Sequence, residues 1–419
     1  MALSFNTMTL TSVVIAGAGQ AGYQCAASLR QEGFEGSITL VGDEPGLPYQ
    51  RPPLSKAFLQ GKLPATALRF RQAEFYDEKK ITRVHGRITA IDRAASSLSL
   101  ADGSTLGWDH LVLALGSRNR VPSVPGIDLG GVFGLRSLAD AEALAPRLIS
   151  GQHVVVIGAG FIGLEFAAVA AAQRLSVQVL EMADRPMARA ITPAMSALFA
   201  QAHAAAGVNI RYGHGLAQII GREGQAVGVV TAEGLALDAD FVVYGIGVLP
   251  NAELAAAAGL TVSNGVQVDA QLLTSDPAIS AIGDVACFTS PWADSPIRLE
   301  SVQNAVDQAR CVAARLMGKP AAYAALPWFW TDQGEMKLQM AGLSAGMDAQ
   351  VLLGDEAIRQ MSVLCFRQGR LIAVESVNRA ADHMASRKLL TRATRLTAEE
   401  AAAPGFDLKA YEAATREVT

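Results

Sequence analysis

Two glycine clusters carry the first sign of chemistry. In VVIAGAGQAG (13–22), Gly17, Gly19 and Gly22 have GxGxxG spacing, and VVVIGAGFIG (154–163) repeats it with Gly158, Gly160 and Gly163. The first glycine of such a set permits a tight strand-to-helix turn. The second lets the backbone approach a pyrophosphate, and the third lets the helix lie close on the strand. N–H groups at the start of the helix then face the anion. The spacing alone is weak evidence, but each copy follows an apolar strand run, opens a helix, and precedes an acid at the end of the next strand. Those acids are Asp43 or Glu44 after the first cluster and Glu181 after the second. A carboxylate there accepts ribose hydroxyls. At Glu181 it would favour NADH by repelling the extra phosphate of NADPH, with Arg185 and Arg189 downstream able to weaken that preference.

Two cradles in one chain mean two copies of one ligand or a pair of cooperating redox cofactors. The segment AIGDVA (281–286) bears on the choice. An apolar strand ending in Gly-Asp suits Asp284 as a partner for the ribityl hydroxyls of a flavin, although Asp284 could equally cap a following helix. Cys25, Cys287, Cys311 and Cys365 are scattered, with no CxxC and no Cys/His cluster. A zinc site or redox dithiol therefore has no local support, and no metal is expected.

The elements that must position these groups form a repeated plan. Strand, glycine turn, helix and strand run from 12 to 42 and again from 153 to 181, each the seed of a doubly wound parallel sheet. ITAIDRAASSLSLADGSTLGWDHLVLALG and GREGQAVGVVTAEGLALDADFVVYGIG also match in plan. Each has alternating strands around a turn and ends in an apolar strand closing on glycine. The fold class expected is α/β, with two Rossmann-like nucleotide-binding domains of the glutathione-reductase kind and a C-terminal α+β domain. The first nucleotide-binding domain is expected over 1–118 and 251–324, and the second, inserted, over 119–250. A C-terminal domain of antiparallel strands with a helical tail should occupy 325–419.

Of the 419 residues 50% are hydrophobic and 18% charged, as in a globular protein of two or three domains. A net charge of −4 gives no reason to expect nucleic acid or an anionic membrane as partner. No apolar run reaches the roughly 20 residues of a membrane span. The start, MALSFNTMTLTS, lacks a basic n-region and a long apolar stretch. A cytoplasmic location and a monomeric state are the expectations.

Nine stretches, in order, carry a family resemblance: VVIAGAGQAG, VGDEPGLPYQRPPLSK, LVLALGS, RSLADAE, VVVIGAGFIGLE, GIGVLPN, TSDPAISAIGDVA, ESVQNAVDQA and PWFWTDQ. Over nearly its whole length the chain resembles the FAD-dependent NADH:ferredoxin reductases that serve bacterial class I cytochrome P450 and ring-hydroxylating dioxygenase systems. There are two departures from the family pattern. LALGS replaces the usual Ala-Thr-Gly, removing that hydroxyl contact, and DQGEMK stands where Asp-Gln-Tyr is more frequent, in the partner-facing region.

The resemblance implies that Gly17, Gly19, Ala21, Gly22 and Asp43 hold the ADP half of FAD. It puts Lys56 beside the isoalloxazine, where its positive charge suits an anionic flavin. Arg136 would contact FAD, Asp284 the ribityl chain and Val302 the ring edge. Trp330 would lie near the isoalloxazine and shape the electron exit. Without the resemblance, Lys56 reads as an exposed loop lysine and WFW as a core cluster. Glu165 would approach the flavin and nicotinamide, although an acid in the first turn of a helix is also explained by the helix dipole.

The implied reaction passes a hydride from NADH to FAD and then single electrons to a [2Fe–2S] ferredoxin. No protein acid, base or nucleophile is demanded, so Lys56, Glu165 and Trp330 are tuning residues. Disulfide reductases and NADH peroxidases need cysteine near the flavin, and PGLPYQRPPLSKAFL has none. Rubredoxin reduction, reduction of a small acceptor, and an NADH-sensing flavoprotein acting by partner binding are the alternatives. An acidic ferredoxin calls for local basic residues, with Arg69, Arg71, Arg298, Arg310 and Arg387 as candidates.

Overall fold

The computed structural model describes residues 10–416. The expectation about an N-terminal leader falls largely outside them. The described chain divides into two compact units, one of residues up to 50, 68–118 and 250–325, the other of 51–67, 119–249 and 326 onwards. Residues 51–67, assigned on sequence grounds to the first nucleotide-binding domain, thus cluster with the second unit.

In the first unit, Ser12–Ala16 is the middle strand of a five-stranded sheet. It pairs in parallel with Ser37–Gly42 and His110–Leu113, and Ile81–His85 and Ile279–Ala281 complete the edges, also parallel. Both faces are covered, which is why the strand reads as an unbroken apolar run. Val13 and Ile15 pack with Leu29 of helix Gln20–Gln31 and with Ala309 and Val312 of helix Val302–Leu316. Val14 and Ala16 face the other way, in a cluster with Leu98, Leu100 and Trp108. Leu98 and Leu100 lie on an antiparallel three-stranded sheet, Ile88–Asp92, Ser97–Leu100 and Thr105–Gly107.

The second unit repeats this plan. His153–Ile157 is flanked in parallel by Ser176–Glu181 and Phe241–Tyr244, with Val208–Tyr212 and Val132–Gly134 at the edges. A second antiparallel three-stranded sheet, Leu216–Arg222, Gln225–Thr231 and Ala236–Asp238, covers one face. Its Ile219 and Val229 share a cluster with Val155, Ile157, Leu180 and Val242. The internal duplication read from the two apolar-turn-apolar stretches extends to four strands of each parallel sheet; the fifth differs, since Ile279–Ala281 follows the others in the chain and Val132–Gly134 precedes them.

The C-terminal segment of the second unit is an antiparallel five-stranded sheet in the order Trp328–Gln333, Met336–Gly342, Arg370–Val377, Gln360–Arg367 and Ala349–Asp355. Helices Ala380–Thr391, Ala398–Ala401 and Leu408–Ala414 follow. Glu375, 2% exposed on the middle strand of this sheet, accepts from the backbone N–H and hydroxyl of Thr192. Thr192 in turn caps helix Pro193–Ala205. Among the described residues, no helix is long and apolar enough to cross a membrane.

Candidate dinucleotide and flavin sites

In the first unit the glycine turn is closed by backbone. A Cβ on Gly22 would lie 1.8 Å from the Gly17 carbonyl oxygen, so helix Gln20–Gln31 meets its strand at a distance only glycine allows. Gly17 has φ +113°, and a Cβ there would strike the Ala114 carbonyl. Gly19 differs, since no heavy atom beyond its own residue and its two chain neighbours lies within 4 Å of where its Cβ would be. It stands at the N-cap with no side chain to satisfy the first-turn N–H groups, which leaves open space lined by donors. That is the shape and polarity a pyrophosphate requires. Ala21 is buried, and Gly283 approaches it so closely that a Cβ on Gly283 would sit 2.9 Å from the Ala21 methyl.

Asp284 follows Gly283 in a tight turn, Gly283–Val285, which leads into strand Ala286–Phe288. The helix-cap alternative is thereby corrected: no helix follows for Asp284 to cap. Its carboxylate accepts from the Ser117 hydroxyl at 2.8 Å, and its carbonyl accepts from Arg298 at 3.2 Å. Ser117 ends the LALGS segment and was not singled out from sequence; it supplies this turn with a hydroxyl. Asp43 is exposed, whereas the neighbouring Glu44 is half-buried and accepts from the Tyr49 hydroxyl. Val302 opens helix Val302–Leu316, which Ser301 caps through the Asn304 N–H.

In the second unit Gly158 (φ +98°) and Gly163 repeat the closure, and a Cβ on Gly163 would lie 2.2 Å from the Gly158 carbonyl oxygen. Gly160 caps helix Phe161–Ala172 without a side chain. Glu181 reaches back to the turn, one oxygen accepting from Ala159 N–H at 2.7 Å and the other from Ala183 N–H at 2.8 Å. Both charge-assisted bonds fix the carboxylate at the end of its strand. Arg185 spends its guanidinium on the carbonyls of Ala188 and Ile191.

The same unit gathers the residues proposed to tune electron transfer. Lys56 lies in a wide helical turn, Leu54–Phe58, and breaks its regularity (φ −128°, ψ −107°). Its ammonium sits 2.9 Å from Glu165 and 3.6 Å from Asp332, so it is no free surface lysine. Glu165 is 4% exposed and lies beyond the first turn of its helix. The dipole explanation is therefore corrected: Glu165 is held by side chains, accepting from Ser55 and Thr331 hydroxyls at 2.5 Å each as well as pairing with Lys56. Trp330 stacks at a tilt on Trp328, centroids 5.6 Å apart, and the Arg387 guanidinium covers Trp328 at 4.5 Å. Arg136 is half-buried, its N–H bound by Asp140 and its carbonyl by Arg51.

Ser55 and Thr331 adjoin residues that sequence reasoning selected, yet nothing local ties either to Glu165. Of the basic candidates, Arg298 has a side chain only 8% exposed and is paired with Glu300. Arg310 is open, 63% exposed beside Asp307. All four cysteines are free, and three of them are buried.

Residues 11–309 match the family described as pyridine nucleotide-disulphide oxidoreductase, and 328–412 match the reductase C-terminal family. Rhodocoxin reductase of Rhodococcus erythropolis is 51% identical over 399 residues, 95% of this chain and 93% of that protein. The chain belongs to the pyridine nucleotide-disulphide oxidoreductase family. The ferredoxin reductase of the CYP199A2 system from Rhodopseudomonas palustris superposes with a TM-score of 0.94 at 50% identity, covering 96% of this chain and 99% of that one. Putidaredoxin reductase, in its covalent complex with putidaredoxin, gives 0.94 at 40% identity, with 97% and 99% covered. Within this family the chain is an FAD- and NAD(H)-dependent oxidoreductase, and its two glycine cradles fit two dinucleotides.

Proposed function

We propose that this protein carries electrons from NADH through FAD to a [2Fe–2S] ferredoxin that supplies a cytochrome P450 or ring-hydroxylating oxygenase. One observation carries the reading: two glycine cradles share a chain whose four cysteines form no CxxC pair, which favours a route for the electrons other than a redox dithiol. The names of the similar reductases supply the kind of acceptor. Bound FAD supplies the conversion between the two-electron chemistry of nicotinamide and the one-electron chemistry of an iron–sulfur cluster.

The chain's own residues bind, orient and tune. Gly17, Gly19 and Gly22 receive the FAD pyrophosphate, and Gly158, Gly160 and Gly163 receive that of NADH. Glu181, pinned by two backbone N–H groups, offers its remaining lone pairs to the ribose and its charge against a 2′-phosphate. Arg185, turned to carbonyls, gives such a phosphate no welcome. Lys56 presents a fixed positive charge, while Asp284 with Ser117 offers polar contacts for the ribityl chain. Arg69, Arg71, Arg310 and Arg387 are the basic candidates left for an acidic ferredoxin, and Arg298 is withdrawn from that role. A cytoplasmic location accords with dependence on NADH and with free thiols.

The test is anaerobic stopped-flow mixing of the yellow holoprotein with NADH or NADPH. Bleaching of the flavin band at least about tenfold faster with NADH at equal low concentration is expected, from loss of about 1.4 kcal/mol or more on binding the phosphorylated form. A colourless protein, or equal rates, contradicts it.

A further inference from the structure

A buried chain of hydrogen bonds extends from the Lys56–Glu165 pair to a histidine that no motif marks. Thr331 donates its hydroxyl to Glu165, and Gln333, two residues along the same strand face, approaches the Thr331 oxygen with Nε2 at 3.4 Å. The other end of the Gln333 amide, Oε1, lies 2.8 Å from His203 Nε2, in the last turn of helix Pro193–Ala205. Glu165, Thr331, Gln333 and His203 are 4%, 0%, 3% and 4% exposed.

The direction of the chain follows from its end. A carboxylate only accepts, so the Thr331 proton points to Glu165 and the Thr331 oxygen must receive the Gln333 amide N–H. That turns the Gln333 carbonyl toward His203, which must then carry its proton on Nε2. Reversing the amide would set its carbonyl against Met187 Sδ, now 3.4 Å from Nε2, and against a hydroxyl whose proton is already committed. Burial holds the His203 pKa below its ordinary value, in keeping with a neutral ring. An amide does not pass a proton along without changing tautomer, so the chain aligns dipoles on Glu165 and is no proton conduit. Gln333 also touches Met187, whose N–H binds the Ala159 carbonyl on the second glycine turn.

We propose that Gln333, oriented by His203, is a positioning residue that fixes the Glu165 carboxylate, and through it the Lys56 ammonium, for reduction of the flavin by NADH. The kinetic part of the proposal rests on the NADH-dependent flavoprotein reading; the hydrogen-bond pattern does not.

The experiment has two arms on the full-length holoprotein. In the first, 15N NMR of the wild type, labelled at its six histidines, reads the His203 tautomer at neutral pH. The neutral Nε2–H form is expected, and the Nδ1–H form or a charged ring overturns the proposal whether or not any variant folds. In the second, His203→Leu, Gln333→Leu and the double variant are followed in anaerobic flavin reduction. Each single change should slow the limiting rate about tenfold with little change in the NADH concentration at half-saturation. The double variant should be no slower than either, because the residues act as one unit. His203→Gln, which restores an N–H donor, should recover the rate to within about threefold. Unchanged rates, multiplicative losses of about a hundredfold, or a His203→Gln variant as slow as His203→Leu overturn the proposal. Wild-type protein that NADH does not reduce would instead contradict the functional reading and leave the NMR result standing.

Discussion

Glu165 shows what a buried charge requires. Its carboxylate is nearly inaccessible and has three side-chain partners, one of them the Lys56 ammonium. Removing only the cation leaves a buried anion supported by two hydroxyls, whereas removing both charges leaves a neutral cluster of similar volume. Lys56→Met is therefore expected to lower the thermal midpoint by about 4–8 °C, corresponding to about 2 kcal/mol. Adding Glu165→Gln should restore at least half of that loss. Differential scanning calorimetry of the two variants and the wild type checks this, and a double variant no better than Lys56→Met would show that Glu165 tolerates the loss of its cation.

At the scale of elements, the two strand–turn–helix units share one contact, and the proposed function assigns them different nucleotides. A Cβ at Gly22 or Gly163 would drive each helix from its strand by collision with a carbonyl oxygen, 1.8 Å and 2.2 Å away respectively. The helix N-terminus would lose its aim at the phosphates. Gly22→Ala is expected to yield protein without flavin. Gly163→Ala should keep its yellow colour but need at least about tenfold more NADH for half-maximal reduction, the loss of about 1.4 kcal/mol of binding. Flavin content from absorbance, with an NADH titration of each variant, separates the two; flavin loss from Gly163→Ala would contradict the division of labour. These turns were legible because strand, turn and helix follow one another within about thirty residues. The supports of Glu165 were not, since Ser55 and Thr331 lie 110 and 166 residues away in the chain. The same distance hides the Ser117–Asp284 contact, 167 residues apart, and the clustering of 51–67 with the second unit. Periodicity reports which face of an element is apolar, and it is silent on which distant hydroxyl meets a buried acid.

Over the whole molecule, buried histidines set the response to acid. Burial depresses the pKa of His110, bonded to Ser280, to about 3, and that of His383, packed against Trp328, to about 4; His203 shifts in the same direction. Above pH 6.5 these rings are neutral folded or unfolded. As pH falls below 6.5 the unfolded chain takes up protons that the folded rings refuse, so stability is lost. Each fully buried ring contributes up to about 1.4 kcal/mol per pH unit. Glu375 opposes this, because burial raises its pKa and the folded state then binds a proton more readily. Three histidines against one acid leave a net loss. Thermal midpoints should fall between pH 7.5 and pH 5, with the fall reduced in His110→Gln; a midpoint independent of pH over that range would contradict the assignment.

The claim that joins these scales is that one NADH is turned into two single electrons for an iron–sulfur acceptor. The direct measurement mixes one equivalent of NADH anaerobically with a catalytic amount of holoprotein and excess [2Fe–2S] ferredoxin, following bleaching of the cluster in the visible spectrum. About two ferredoxins reduced per NADH consumed are expected, from the two electrons of a hydride. NADH consumption with ferricyanide but no bleaching of any [2Fe–2S] ferredoxin in a panel, while a rubredoxin is reduced, would contradict the account.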